Sequence, residues 1–504
     1  MRKNILEMLE QTEKNYSKKV AFADKNKSAT YREIMEKSQK IGTYISKINR
    51  TNKPIAIFID KSIECLESMF GVLYSGNFYT ILDVKSPRER INLILNTLEP
   101  VAIITDAKNL EKAKELVIDK ELFVYEEIVN TDIKHEKLLG IRSKSIDTDP
   151  AYVLFTSGST GIPKGTVVSH RAVITYTNWV IETFDITSDT IWGSQTPFYF
   201  SMSITDVFST IFSGATLYII PKMYFSFPVK LLEFINENKI NSIYWVPSAL
   251  SIVANLKALD EVKLTTLKKI LFAGEVMPTK QLNCWIEKLP NALFANLFGP
   301  TETTDICTYY VVDRKFNNEE NLPIGKACNN CDVMVIKDDG TLAQENEEGE
   351  LCVRGSFLAM GYYGNPEKTA SVFVQNPLNK QYPEIIYKTG DIVKYNQAGE
   401  LIYLSRKDFQ IKHMGYRIEL GEIETAINNI DGIISCACIY DTEESQIVLF
   451  YQGEGIDDEQ VLSGAVKKLP NYMVPNKIIK LDKMPHNANG KIDRTALKNI
   501  CKGE

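Results

Sequence analysis

Tyr152–Gly165 reads YVLFTSGSTGIPKG. Tyr152–Phe155 is a short apolar run of strand type, and it leads into Thr156, Ser157, Gly158, Ser159, Thr160 and Gly161, then Pro163-Lys164-Gly165. Small hydroxyl residues and glycines let a backbone approach phosphate oxygens closely. Their N–H and O–H groups donate to those oxygens, and Lys164 adds charge. The lysine falls later than in a GxxxxGK[ST] loop, and no Ser or Thr follows it.

Outward from this loop, apolar β-type runs alternate with amphipathic segments. Pro54–Ile59, Val101–Thr105 and Ser242–Val246 are such runs; Ser62–Leu73 and Val229–Asn238 are such segments. The alternation predicts α/β layers with largely parallel strands. After about residue 330 the runs DVMVI, GELCVRG and GELIYLS crowd together with Gly-containing turns and read as antiparallel strands. From Glu419, a helix start (ELGEIETAINNI) leads to CACIYD and QIVLFYQ, a small α+β unit. The expected joint is Ser405–Asp408, which divides the chain into 1–405 and 406–504.

At 504 residues the chain exceeds one hydrophobic core. Its 44% apolar and 24% charged residues fit an ordinary globular protein. The formal charge is −6, with Lys and Arg scattered among acids, so no nucleic-acid stripe or polybasic membrane patch is expected. MRKNILEMLEQTEKNY reads as an amphipathic helix built on Ile5, Leu6 and Leu9, without the apolar region of a signal peptide. No run is long enough to span a bilayer, and the cytoplasm is the expected compartment. Nine cysteines, an odd number lying mostly in apolar runs, read as buried thiols. Cys328 and Cys331 form one CxxC without a second ligand pair, so no metal site is expected there.

Further motifs follow in order: Ala273-Gly274-Glu275, Asn296-Leu297-Phe298-Gly299-Pro300-Thr301-Glu302-Thr303-Thr304, Tyr387-Lys388-Thr389-Gly390-Asp391, Ser405-Arg406-Lys407-Asp408, Gly415–Glu424 and Asn489-Gly490-Lys491-Ile492-Asp493. Together with the loop they resemble the adenylate-forming superfamily, and most closely its standalone adenylation enzymes, such as D-alanine–carrier protein ligases. The resemblance implies a large N-terminal ATP- and acid-binding domain of layered sheets and helices, plus a small mobile α+β C-terminal domain. It implies ATP and Mg²⁺ as cofactors. By the same resemblance, Thr156–Thr160 and Lys164 hold phosphates, and Gly274, Glu275, Asn296 and Phe298 hold adenine. Asp391 takes the ribose hydroxyls, with Arg406 supporting the ribose and hinge. Thr301 positions the α-phosphate, Glu302 is the Mg²⁺ ligand, Lys491 bridges carboxylate and α-phosphate, and Asp408 is the hinge. The family usually places Gly before the hinge arginine, where this chain has Ser405.

Aligned by motif, the acid pocket comprises Ser201, Met202, Thr205, Ser248, Leu271, Ala273, Leu297, Asp305 and Ile306. Enzymes for α-amino acids place an aspartate where this chain has Ser201, and a neutral hydroxyl cannot neutralise a buried ammonium. Asp305 is the only acid in the set. Its alternative reading is a helix cap or a solvent-facing residue after the TETT turn. The leading expectation is a small β-amino acid such as β-alanine anchored by Asp305. An aryl acid such as a hydroxybenzoate and D-alanine stay open. The expected acceptor is the phosphopantetheine thiol of a separate carrier protein, with coenzyme A as the alternative. A nucleotide-binding regulator without catalysis is the competing class.

Overall fold

The computed structural model describes residues 2–116, 120–158, 161–318, 320–486 and 492–502. The chain separates into two compact units. The first runs up to Val84, then Glu99–Leu154 and Thr166–Lys407; the second joins Lys85–Leu98 and Phe155–Gly165 to the chain from Asp408 onward.

In the first unit, Pro54–Phe58 is buried at every residue and lies parallel to Phe78–Ile81 and Ala102–Thr105. Continuous apolar runs of this kind suit a parallel sheet covered on both faces. The helix Ile63–Tyr74 that follows is capped by Ser62, whose side chain accepts the Cys65 N–H. Tyr31–Ile45 starts with a full capping box between Thr30 and Glu33. The N-terminal helix is Leu6–Tyr16, and it buries Leu6, Met8 and Leu9.

A second sheet carries Leu271, Ala273 and Leu297. Its strands Ile191–Ser194, Ser242–Trp245, Lys269–Ala273 and Leu293–Phe298 are parallel neighbours, and Thr308–Val311 returns antiparallel to the last. A separate antiparallel sheet contains Cys331–Ile336, Gly349–Gly355, Ile385–Tyr395 and Leu401–Arg406, in agreement with the sequence pattern after residue 330. Ser405 pairs with Ile392 within this sheet and is not among the positive-φ residues, so its Cβ is accommodated without the glycine usual there.

The second unit packs the helix Leu420–Asn428 onto strands Ile433–Asp441 and Gln446–Gly453, with Lys477–Lys480 added parallel. Ile423, Ile427, Cys436, Cys438, Leu449 and Tyr451 belong to its core. No helix among the described residues is long and apolar enough to cross a membrane.

Candidate active site

The strand Leu293–Phe298 delivers Asn296, Leu297 and Phe298, and the chain then turns back within a few residues. Gly299 permits the turn: a Cβ there would stand 2.5 Å from the Asp305 carbonyl oxygen and 2.5 Å from the Ile306 Cα. The Cys307 N–H donates to the Phe298 carbonyl at 2.9 Å and closes the loop. Thr301–Thr303 form one 3-10 turn, after which Thr304 takes φ 67° and ψ −55°. The Asp305 N–H donates to the Thr303 carbonyl at 2.8 Å. This is a γ-turn of the rare, strained hand, and a β-branched residue at positive φ is a true outlier. The Thr304 hydroxyl donates to the Phe357 carbonyl at 2.8 Å and helps to hold it.

The turn buries Asp305, which is 2% exposed. Tyr176 from helix His170–Phe184, Thr205 from helix Ser203–Ser213 and Tyr244 from strand Ser242–Trp245 all reach one oxygen, Oδ2, at 3.0, 2.9 and 3.0 Å. The Tyr176 and Thr205 hydroxyls are 2.6 Å apart. Burial pushes the Asp305 carboxyl up to about 6, against the pull of the Thr205, Tyr176, Tyr244 and Ser201 hydroxyls. The solvent-facing or helix-capping alternative for Asp305 is therefore corrected: the residue follows a strained turn into the interior. Tyr176 and Tyr244 were missed from the sequence, because they lie in elements remote from every motif.

The other residues aligned to the acid pocket also lie in the first unit. Leu271 and Ala273 alternate along Lys269–Ala273, and with Leu297 and Ile306 they are at most 1% exposed. Met202 precedes helix Ser203–Ser213, and the Thr301 hydroxyl reaches the half-buried Ser201 hydroxyl at 3.4 Å. The Ser248 N–H donates to Glu275 Oε2 at 2.9 Å, so Glu275 serves the first turn of helix Pro247–Asn255. Gly274 stands at φ 94°, a conformation that favours glycine. The Asn296 side-chain amide donates to the Pro323 carbonyl at 2.8 Å, and Phe298 packs against the Tyr403 ring.

Glu302 is fully buried, and Oε1 accepts the Tyr362 hydroxyl at 2.6 Å. Asp391 and Arg406 are cross-strand partners joined at 2.8 Å, both side chains under a tenth exposed. The half-buried Lys61 and the buried Asp206 of helix Ser203–Ser213 carry opposite charges that no motif signalled, and each acts on the other electrostatically. Lys61 Nζ donates to the Ser194 carbonyl and hydroxyl at 3.1 and 2.9 Å. Burial lowers the Lys61 pKa and raises that of Asp206.

In the second unit the loop after strand Pro150–Thr156 is engaged by protein groups. The Ser157 hydroxyl donates to the Arg417 carbonyl at 2.7 Å and accepts the Glu419 N–H at 3.1 Å. The Gly158 N–H donates to Glu422 Oε2 at 3.1 Å, and Arg90 pairs with the same carboxylate. Lys164 lies 3.8 Å from Glu419. A Cβ on Gly158 would meet the Ile162 carbonyl oxygen at 2.1 Å, which explains the glycine. The Asp408 carboxylate accepts the Gln410 N–H at 3.2 Å. Ser159, Thr160 and Lys491 lie outside the described residues.

The layered fold, the glycine-serine loop whose N–H and O–H groups bind oxygen acceptors, and the buried GPTE turn define an adenylate-forming ligase. The chain belongs to the AMP-binding enzyme family, which matches residues 9–363. It is 32% identical to zwittermicin A synthase ZmaJ of Bacillus cereus, over 95% of this chain and 91% of that protein. It is 30% identical to the D-alanine–D-alanyl carrier protein ligase of Bacillus cereus (strain AH187), over 98% and 99%. Its fold is similar to that of the Vibrio cholerae adenylation domain AlmE, solved in complex with glycyl-adenosine-5'-phosphate. The TM-score is 0.86 at 23% identity, covering 100% of this chain and 98% of that one.

Proposed function

We propose that this ligase activates a small acid carrying an ammonium displaced from its carboxylate, with β-alanine as the leading substrate, and transfers it to the phosphopantetheine thiol of a separate carrier protein. The observation that carries this reading is the buried Asp305 carboxylate on its three hydroxyls, together with a neutral Ser201 where an α-ammonium anchor would stand. A buried carboxylate without a countercharge is costly, and a substrate ammonium supplies one. Lys61 donates to Ser194, and its charge acts on Asp206.

In the first step a substrate carboxylate oxygen attacks the α-phosphorus of ATP, the bond to the β-phosphate bridge breaks, and pyrophosphate leaves. Both reactants are anionic, so cationic groups and hydrogen-bond donors must be aimed at the charge as it moves. We assign Lys491 to the junction of carboxylate and α-phosphate, and Thr301 to the α-phosphate. Asp391, oriented by Arg406, takes the ribose hydroxyls. Ser157, Gly158, Ser159, Thr160 and Lys164 take the outer phosphates. Glu302 fits Mg²⁺, because it is a hard oxygen donor in an orientation fixed by Tyr362. Bound there, the ion would neutralise phosphate charge. In the second step the thiol sulfur attacks the acyl carbonyl and AMP leaves, with Asp408 as the hinge for the change between steps.

D-alanine is the second reading, favoured by the near full-length similarity to the D-alanine–D-alanyl carrier protein ligase. Pyrophosphate exchange with β-alanine, D-alanine and 4-hydroxybenzoate separates the alternatives. Strong preference for β-alanine supports the proposal; strong preference for D-alanine or the aryl acid replaces it.

A further inference from the structure

The cradle around Asp305 is more specific than a buried carboxylate requires. Tyr176, Thr205 and Tyr244 come from three elements, yet all end on Oδ2. Three hydroxyls own three protons, and four short contacts, including the one between Tyr176 and Thr205, share them. The three bonds converge on Oδ2 and fix the plane of the carboxyl, to which the Ser201 hydroxyl also bonds. The Thr304 turn and the close approach at Gly299 fix the backbone beneath it. Both tyrosines are fully enclosed, so neither hydroxyl can swing away to water.

We propose that Tyr176 and Tyr244 are positioning residues that present one Asp305 oxygen to the substrate ammonium, so that they set the carboxylate-to-ammonium spacing the enzyme accepts. The inference rests on the reading of Asp305 as the ammonium anchor and names what gives that anchor its selectivity. An anchor free to rotate could offer either oxygen and follow a chain one methylene longer or shorter. A pinned anchor cannot. The groups facing Asp305 are Tyr176, Thr205, Tyr244 and Ser201, then Tyr152 on strand Pro150–Thr156, Cys328, and Asp206 with Lys61 behind it. Of these, the two tyrosines can each lose a donor with no other change in shape.

The test compares wild type, Tyr176→Phe, Tyr244→Phe and Asp305→Asn in pyrophosphate exchange with glycine, β-alanine, 4-aminobutyrate and propionate, each over pH 5 to 8. Removing one donor to a charged acceptor should raise the acid limb of kcat/KM for β-alanine by about one pH unit. It should also cut the preference for β-alanine over 4-aminobutyrate roughly tenfold, while thermal unfolding and propionate activity hold near wild type. Loss of the β-alanine preference in Asp305→Asn, with both Phe variants unchanged in spacing preference and pH limb, overturns the positioning role and leaves the anchor standing. An Asp305→Asn variant that keeps the wild-type ratio of β-alanine to propionate sinks the anchor itself, and the positioning role with it. If one Phe variant unfolds, the other carries the test; a folded Phe variant with unchanged selectivity and pH limb refutes it.

Discussion

Gly299→Ala tests how the backbone aims Asp305. The added Cβ would stand 2.5 Å from the Asp305 carbonyl oxygen, 2.5 Å from the Ile306 Cα and 2.7 Å from the Cys307 nitrogen. All three are backbone atoms, so no side chain can swing aside. The strand Leu293–Phe298 is fixed by neighbours on both sides, so the segment that moves is Thr304–Cys307. A shift of about 1 Å there would pull the carboxyl out of the hydroxyl cradle. Overpacking of this kind costs about 1–3 kcal/mol of stability. A 1 Å misplacement at a reacting site can cost about a hundredfold in rate. The expected result is a melting temperature lowered by several degrees and a kcat/KM for the acid lowered at least tenfold. The KM for ATP should change much less. Calorimetry and pyrophosphate exchange read both effects. Wild-type kcat/KM for the acid in a folded Gly299→Ala protein would refute the claim that this close approach positions Asp305.

The acid limb follows from Asp305. With the Asp305 carboxyl pushed up to about 6 by burial, the free enzyme loses the charge of this proposed anchor below that pH. Then kcat/KM for β-alanine should fall about tenfold per pH unit below 6, whereas kcat bends at lower pH because a bound ammonium favours the carboxylate. The stability effect has the opposite sign. A carboxyl raised on folding favours the folded state when protonated, so this contribution is present below pH 4 and is lost as pH rises through 6. Arg90→Ala leaves the buried Glu422 without its cation and should destabilise the second unit by about 3–5 kcal/mol, read by urea denaturation; an unchanged midpoint contradicts this. Asp408→Pro restricts φ at the proposed hinge and should slow thioester formation more than adenylation; equal losses in both half-reactions count against that hinge.

Local chemistry made much of the fold legible. Pro54–Phe58 and Ser242–Trp245 are buried apolar runs, and their composition alone marks them as strands of covered parallel sheets. The phosphate-type loop was legible because Gly158 and the hydroxyls around it answer to backbone geometry within a few residues. The orientation of Asp305 was not. It depends on a γ-turn at a threonine, which no propensity favours, and on hydroxyls brought from residues 176, 205 and 244 by tertiary packing. The grouping of Lys85–Leu98 with the chain from Asp408 onward was equally hidden, because it rests on contacts such as Arg90 with Glu422, separated by most of the sequence.

The most direct test of the central claim is pyrophosphate exchange by wild type and Asp305→Asn with β-alanine and with propionate at pH 7.5. The wild type should prefer β-alanine strongly. Removing a buried, paired charge costs about 3–5 kcal/mol, so Asp305→Asn should lose roughly two to four orders of magnitude on β-alanine and little on propionate. Equal activity of both proteins on β-alanine, or equal losses on both acids, would contradict the account.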